Sequence, residues 1–159
     1  MKKSELKKKI VIGSANFEQK YGIENKKINP VEKREIINFA KSNNIFTIDT
    51  AQSYFKNKKI FKNIDSRFKF TTKIKLNKYW TSLKFCKKKL RSHSTSFKNF
   101  KIQSFLIHDI KILYSKFGPK IFKNLLILKK NKYFKKIGVS IYDPKCLNYL
   151  TSKYDIDIV

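Results

Sequence analysis

Short runs of apolar and β-branched residues alternate along the chain with longer amphipathic stretches, and few folds accommodate that order. Ile10 to Gly13 reads as a first strand. Asn29-Pro30 then offers an N-cap followed by proline at the first helical position, with Ile36, Ile37 and Ala40 on the apolar face and Asn43-Asn44 as the left-handed stop. Ile45 to Asp49 is the second strand, and a short helix carrying Ile60, Phe61 and Ile64 leads to a third, Phe68 to Lys73. Leu83, Cys86 and Leu90, at i, i+3 and i+7, mark the next helix, and Ile102 to His108 a fourth strand. A helix around Ile121 to Leu128, a fifth strand Ile137 to Ile141, a helix Pro144 to Leu150 and the beginning of a sixth strand, Asp155 to Val159, complete the order.

Strand and helix in unbroken alternation imply a parallel sheet with crossover helices, because parallel neighbours cannot be joined by a tight turn. None of the 4 glycines forms a GxGxxG fingerprint, so a Rossmann dinucleotide fold has no support. The expected fold is an α/β partial TIM-type (β/α) barrel, with about six of the eight strands that a closed barrel requires. At 159 residues the chain is expected to form a single incomplete barrel domain over 1–159.

Three successive strands end in ionisable residues. FTIDT carries Asp49, FTTK ends in Lys73 and FLIH ends in His108, while Tyr54 follows Asp49 on the next loop. In a parallel barrel the strand ends meet on one face, where barrel enzymes keep their chemistry. A carboxylate at the mouth of a buried strand is costly unless a neighbour uses it. Proton delivery to a polarised oxygen needs this set. A tyrosine is a poor acid near neutrality, and a lysine ammonium within reach is expected to lower its pKa. Asp49 would keep Lys73 charged and aimed, and His108 would orient a carbonyl or share the proton. Taken singly, each residue has a plain structural reading: a loop cap, a packing ring, one lysine among many, a satisfied histidine. Their order at successive strand ends gives them meaning. His93, Tyr79 and Trp80 have no such context and are expected to be, respectively, exposed and packed.

The charge balance is extreme: 38 Lys+Arg against 11 Asp+Glu give +27. Such a field attracts polyanions. The lysines, however, run through every segment and arginine is scarce. Lys, Asn, Ile and Phe all have codons built from A and T alone, so genome composition accounts for the excess and nucleic acid is not expected as a partner. The 2 cysteines, Cys86 and Cys146, lie far apart with no second ligand at metal spacing, which predicts neither a disulfide framework nor zinc. The basic N-terminus is followed only by Ile10 to Ile12, too short for a signal peptide, and no run approaches a membrane span. A cytoplasmic protein is the expectation.

KIVIGSANFEQKYGI, FTIDTAQSY, FTTK, FLIHD and IGVSIY, in this order, resemble the aldo-keto reductases over residues 10 to 159. The resemblance implies an eight-stranded β/α barrel and reversible hydride transfer between a nicotinamide cofactor, usually NADPH, and a small aldehyde or ketone. The family's catalytic tetrad would fall on Asp49, Tyr54, Lys73 and His108, with Tyr54 as proton donor. Ser140 matches the position that contacts the nicotinamide carboxamide. Phe55 stands where the family usually has glycine, Lys58 where it often has glutamate, and Ile141 where asparagine is common. The family pattern also continues past the sixth strand, into the region that holds most of the cofactor. Three readings follow: a reductase whose remaining part lies outside these residues or comes from a second chain that completes the barrel, an inactive truncated remnant, or a polyanion-binding barrel fragment. A substrate class is not readable from these residues.

Overall fold

The computed structural model describes residues 10–54, 61, 64–96 and 101–159. Its centre is a five-stranded, wholly parallel sheet of β1 (Ile12–Gly13), β2 (Thr47–Ala51), β3 (Lys69–Lys75), β4 (Lys101–His108) and β5 (Lys136–Ser140), hydrogen-bonded in chain order. A sixth strand begins with one parallel bridge, Gly138 to Ile158. Helices α1 (Pro30–Ser42), α2 (Leu83–Ser96), α3 (Lys111–Tyr114), α4 (Gly118–Lys130) and α5 (Leu147–Lys153) occupy the crossovers. This is the first part of a β/α barrel, as the alternation predicts.

Local chemistry sets the helix ends. The Asn29 side chain accepts from the Val31 and Glu32 N–H groups at 2.8 and 3.0 Å, and Glu32 accepts in return from the Asn29 N–H at 2.9 Å. This reciprocal cap, with Pro30 behind it, starts α1 where the sequence places it. Asn44 takes the left-handed conformation at φ 58° just past the helix. The helix expected over Pro144 to Leu150 splits into a 3-10 turn, Pro144–Cys146, and α5. Most of the short helix expected around Ile60 lies outside the described residues, although Phe61 is buried in the core.

Two strands run further than expected. β2 continues past Asp49 to Ala51, and β3 past Lys73 to Lys75. The added residues find ladder partners: Thr50 and Ala51 register with Thr72 and Lys73, and Ile74 and Lys75 with Ile107 and His108. Asp49 and Lys73 therefore sit inside strands, while His108 does end one. β1 is shorter than expected, beginning at Ile12.

The pleat separates two faces. Ile48, Phe70, Ile74, Phe105, Ile107, Ile137 and Val139 lie on one side and are all buried beneath the helices. Ala40, Phe17, Phe61 and Phe68 close one cluster beside α1, and a larger one centres on Trp80, Phe105, Ile121, Leu125 and Phe134 beneath α2 and α4. The Phe105 ring stacks on Phe134 with centroids 5.0 Å apart. Trp80 is packed as expected, and its carbonyl accepts from the buried Asn124 amide at 2.9 Å; Tyr79 is instead exposed. Cys86 and Cys146 are free thiols, and burial pushes the Cys86 pKa up to about 11, leaving it inert. No described helix is long and apolar enough to cross a membrane.

The bridge at Ile158 is pinned by Asp157. Its carboxylate accepts from the Ile137 N–H at 2.7 Å and from the Lys129 ammonium at 2.6 Å. Gly138 has no side chain because a Cβ there would meet the Ile158 carbonyl at 2.4 Å. Burial alone would raise the Asp157 pKa, but the hydrogen bonds from Lys129 and Ile137 outweigh it and hold the carboxyl below its usual value. Its stabilising contribution is therefore complete above the unfolded-state pKa, near 4, and is lost as pH falls through the lower folded value. Urea unfolding across pH should show Asp157→Asn less stable than the parent near neutrality, with the gap closing in acid. In the core, Phe105→Ala should cost about 3–5 kcal/mol in the same measurement.

Candidate active site

The second face of the sheet carries the ionisable residues. Register places Gly13, Asp49 and Thr71 in one row, Ala51, Lys73, Leu106 and Gly138 in the next, and Lys75, His108 and Ser140 in the row nearest the carboxyl ends. Side chains along each strand alternate, so these residues share one face, opposite the helices.

The Lys73 ammonium pairs directly with the Asp49 carboxylate. The lysine side chain is 11% exposed and the aspartate 33%, so the pair is shielded from solvent on the lysine side. Lys73 Nζ also lies over the Tyr54 ring, 5.7 Å from its centroid. Tyr54 arrives on a 3-10 turn, Gln52–Tyr54, directly after β2. These three residues are brought together as the sequence predicts. His108 stands one row up and one strand across from Lys73, about 8 Å between Cα positions at standard strand spacings.

His108 and Ser140 are register partners, and both line a cleft of about 420 Å³ at the carboxyl ends of β4 and β5. Lys75, Ile141, Tyr142 and Cys146 border the same cleft. His108 Nδ1 is buried and, among the described residues, has no hydrogen-bond partner. Asp109 follows at φ 68°, and its carboxylate accepts from the Lys111 N–H at 3.2 Å and lies 3.7 Å from Lys75 Nζ. Phe55 and Lys58, and the side chain of His93, lie outside the described residues. Among the described residues, no cluster of His, Cys, Asp and Glu could hold a metal ion.

Sequence reasoning missed three contributors. Buried Ser14 ties the loop after β1 to the site: its hydroxyl and its N–H both donate to the Asp49 carbonyl, at 2.8 and 3.0 Å. Tyr21, from the same loop, brings its ring to 6.3 Å from that of Tyr54. Tyr142, beyond β5, is close enough to act on Tyr54 electrostatically. No local pattern announces these contacts, since each joins residues far apart in the chain.

The expected lowering of the Tyr54 pKa beside Lys73 does not prevail. The Tyr54 pKa lies above the ordinary tyrosine value, first because burial penalises the phenolate and then because Tyr21, Asp49 and Tyr142 add repulsion. The nearby ammonium does not reverse this, since it is paired with Asp49. Tyr54 is thus held as the protonated acid. With a raised folded pKa, the stability tied to this proton is present below pH about 10 and lost as pH rises through the folded value. In a spectrophotometric tyrosine titration, Tyr54→Phe should remove one tyrosinate from the amplitude above pH 10; loss of amplitude below pH 10 would contradict this environment.

A family model described as the Aldo/keto reductase family matches residues 9–159. No curated protein matches the sequence. Among solved structures, an aldo-keto reductase from Bacillus halodurans in its holo form superposes with TM-score 0.66 at 15% identity, covering 94% of this chain and 51% of that one. The glycerol dehydrogenase of Gluconobacter oxydans gives TM-score 0.62 at 17% identity, with 93% and 49% covered. An aldo/keto reductase from Klebsiella pneumoniae, solved in complex with NADP and acetate, gives 0.61 at 12% identity, with 91% and 50% covered. At these identities the likeness shows the fold. The chain spans about half the length of these structures.

Proposed function

The chain belongs to the aldo/keto reductase family, and on that premise we propose that residues 10–159 carry the proton-transfer side of a nicotinamide-dependent carbonyl reductase. The observation that supports this most directly is the Asp49–Lys73 ion pair with its ammonium over the Tyr54 ring. The triad sits on the open face of the sheet rather than under the helices, where a carbonyl compound could reach it.

Each residue then has a role that follows from its surroundings. Tyr54 donates its proton to the carbonyl oxygen, and its raised pKa keeps that proton in place until the oxygen gains charge. The Lys73 ammonium stabilises the phenolate left behind, and Asp49 fixes the ammonium against the ring. His108 faces the cleft and orients the carbonyl.

A nicotinamide, when bound, supplies the hydride. NADPH is the cofactor we assign, with Ser140 as the group that would hold its carboxamide end. The fit rests on the cleft itself: its volume suits a nicotinamide ring beside a small carbonyl, and His108 and Ser140 both line it. The family resemblance implies that most contacts for the rest of a dinucleotide lie past the sixth strand. They would come from a longer polypeptide or from a second chain.

The protein isolated from its source, at whatever length it occurs, should oxidise NADPH in the presence of an aldehyde or ketone. Tyr54→Phe should abolish this turnover and leave NADPH binding unchanged, as followed by quenching of the cofactor's fluorescence. Turnover that survives Tyr54→Phe would overturn the assignment of the proton donor.

A further inference from the structure

The carboxylates are unevenly placed: between Asp65 and Asp109 there are none, and that span supplies β3, α2 and β4. Cys86 and Leu90 anchor α2 in the core with Leu83 and Phe85 packed at its edge, which leaves the cationic side of the helix outward. Leu83, Lys84, Lys87, Lys88 and Arg91 line a surface groove of about 500 Å³ along it. Among the described residues, no ion pair involves Lys84, Lys87 or Lys88. α2 carries five of the 38 cations and no carboxylate, so its outward side is locally unbalanced.

An aromatic pair stands on the other flank of α2. Tyr79 is 59% exposed, and its ring lies 5.7 Å from that of Phe85. Lys78 sits over Tyr79 and Lys89 over Phe85, each 5.7 Å from the ring centroid. Cations beside a solvent-facing ring are the two parts of a single-strand binding surface, one for phosphates and one for a base to stack on.

We infer that the outward face of α2, with Tyr79 beside it, binds single-stranded nucleic acid. A bilayer surface fits less well, because Cys86 and Leu90 are buried and the other apolar residues of α2, Leu83 and Phe85, are already packed against the core. A duplex or an acidic protein would use the charge and leave Tyr79 without a role. The surface lies on the helix side of the sheet, away from Tyr54 and Lys73, and does not depend on the reductase assignment.

The test is fluorescence anisotropy of a labelled single-stranded oligouridylate with the full chain over a range of salt concentrations. Lys84→Glu/Lys87→Glu/Lys88→Glu should lower the magnitude of the log–log salt slope by about 2, at roughly 0.7 per phosphate contact. Lys120→Glu/Lys123→Glu/Lys130→Glu on α4 changes net charge equally and should leave the slope near that of the parent. Tyr79→Ala should weaken binding roughly 5- to 150-fold, while Tyr79→Phe, which keeps the ring, should not. If the triple reversal does not fold, as judged by circular dichroism, Lys88→Gln alone should lower the slope by about 0.7. Absence of binding, equal loss in the two triple variants, or an unchanged affinity in Tyr79→Ala would each overturn the proposal. So would an α2 variant that loses binding to phosphatidylserine vesicles but not to the oligonucleotide.

Discussion

β3 lies between β2 and β4, and the alternation of its side chains sets both layers of the molecule. Phe70, Thr72 and Ile74 face the helices and are buried, whereas Thr71, Lys73 and Lys75 face the other way. Parallel register passes this division to the neighbours: Ile48 and Thr50 follow Phe70 and Thr72, and Phe105 and Ile107 follow Thr72 and Ile74. A slip of one residue would drive Lys73 beneath α2 and expose Phe70. Burying an unpaired ammonium costs far more than any ladder bond returns, so the register is strongly specified. The irregularity between Phe70 and Thr71, where the pairing to β4 shifts, adjusts the ladder before the row that holds Lys73 is reached.

The Asp49–Lys73 pair is a consequence of that register and also its main electrostatic constraint. With Lys73 largely buried, removing Asp49 would strand a cation in a poorly solvated site, which is why such pairs are costly to break even where their net contribution is small. Ser14 holds the backbone at Asp49 through two hydrogen bonds, so the short β1 and its loop contribute more to the site than to the sheet. Tyr54 then meets an environment of opposing influences. The cation over its ring favours the phenolate, but burial and the groups around the phenol disfavour it more. Under the function proposed above, such an acid would keep its proton until charge develops on a bound oxygen, and the ammonium would act on the phenolate as it forms.

The same pleat divides the charges by purpose. Lysines facing the open side meet carboxylates, as Lys73 meets Asp49 and Lys75 approaches Asp109. Those on the outward side of α2 face solvent in a span without acidic residues, and their mutual repulsion is left to solvent and counterions to screen. A net charge of +27 is therefore not one uniform field.

Local chemistry in the sequence determined the order of strands and helices, the cap at Asn29-Pro30, the stop at Asn44 and the appearance of Asp49, Lys73 and His108 on successive strands. Each depends on neighbours within a few residues: periodicity, a side chain reaching its own backbone, a conformation that asparagine tolerates. The tertiary structure alone decided that β2 and β3 run two residues beyond Asp49 and Lys73, since a strand ends where its partner's ladder ends. It also brought Ser14, Tyr21 and Tyr142 to the site and raised the Tyr54 pKa where a nearby lysine suggested the reverse. Burial and electrostatic surroundings are sums over residues distant in the chain, and only the folded arrangement brings those residues within reach.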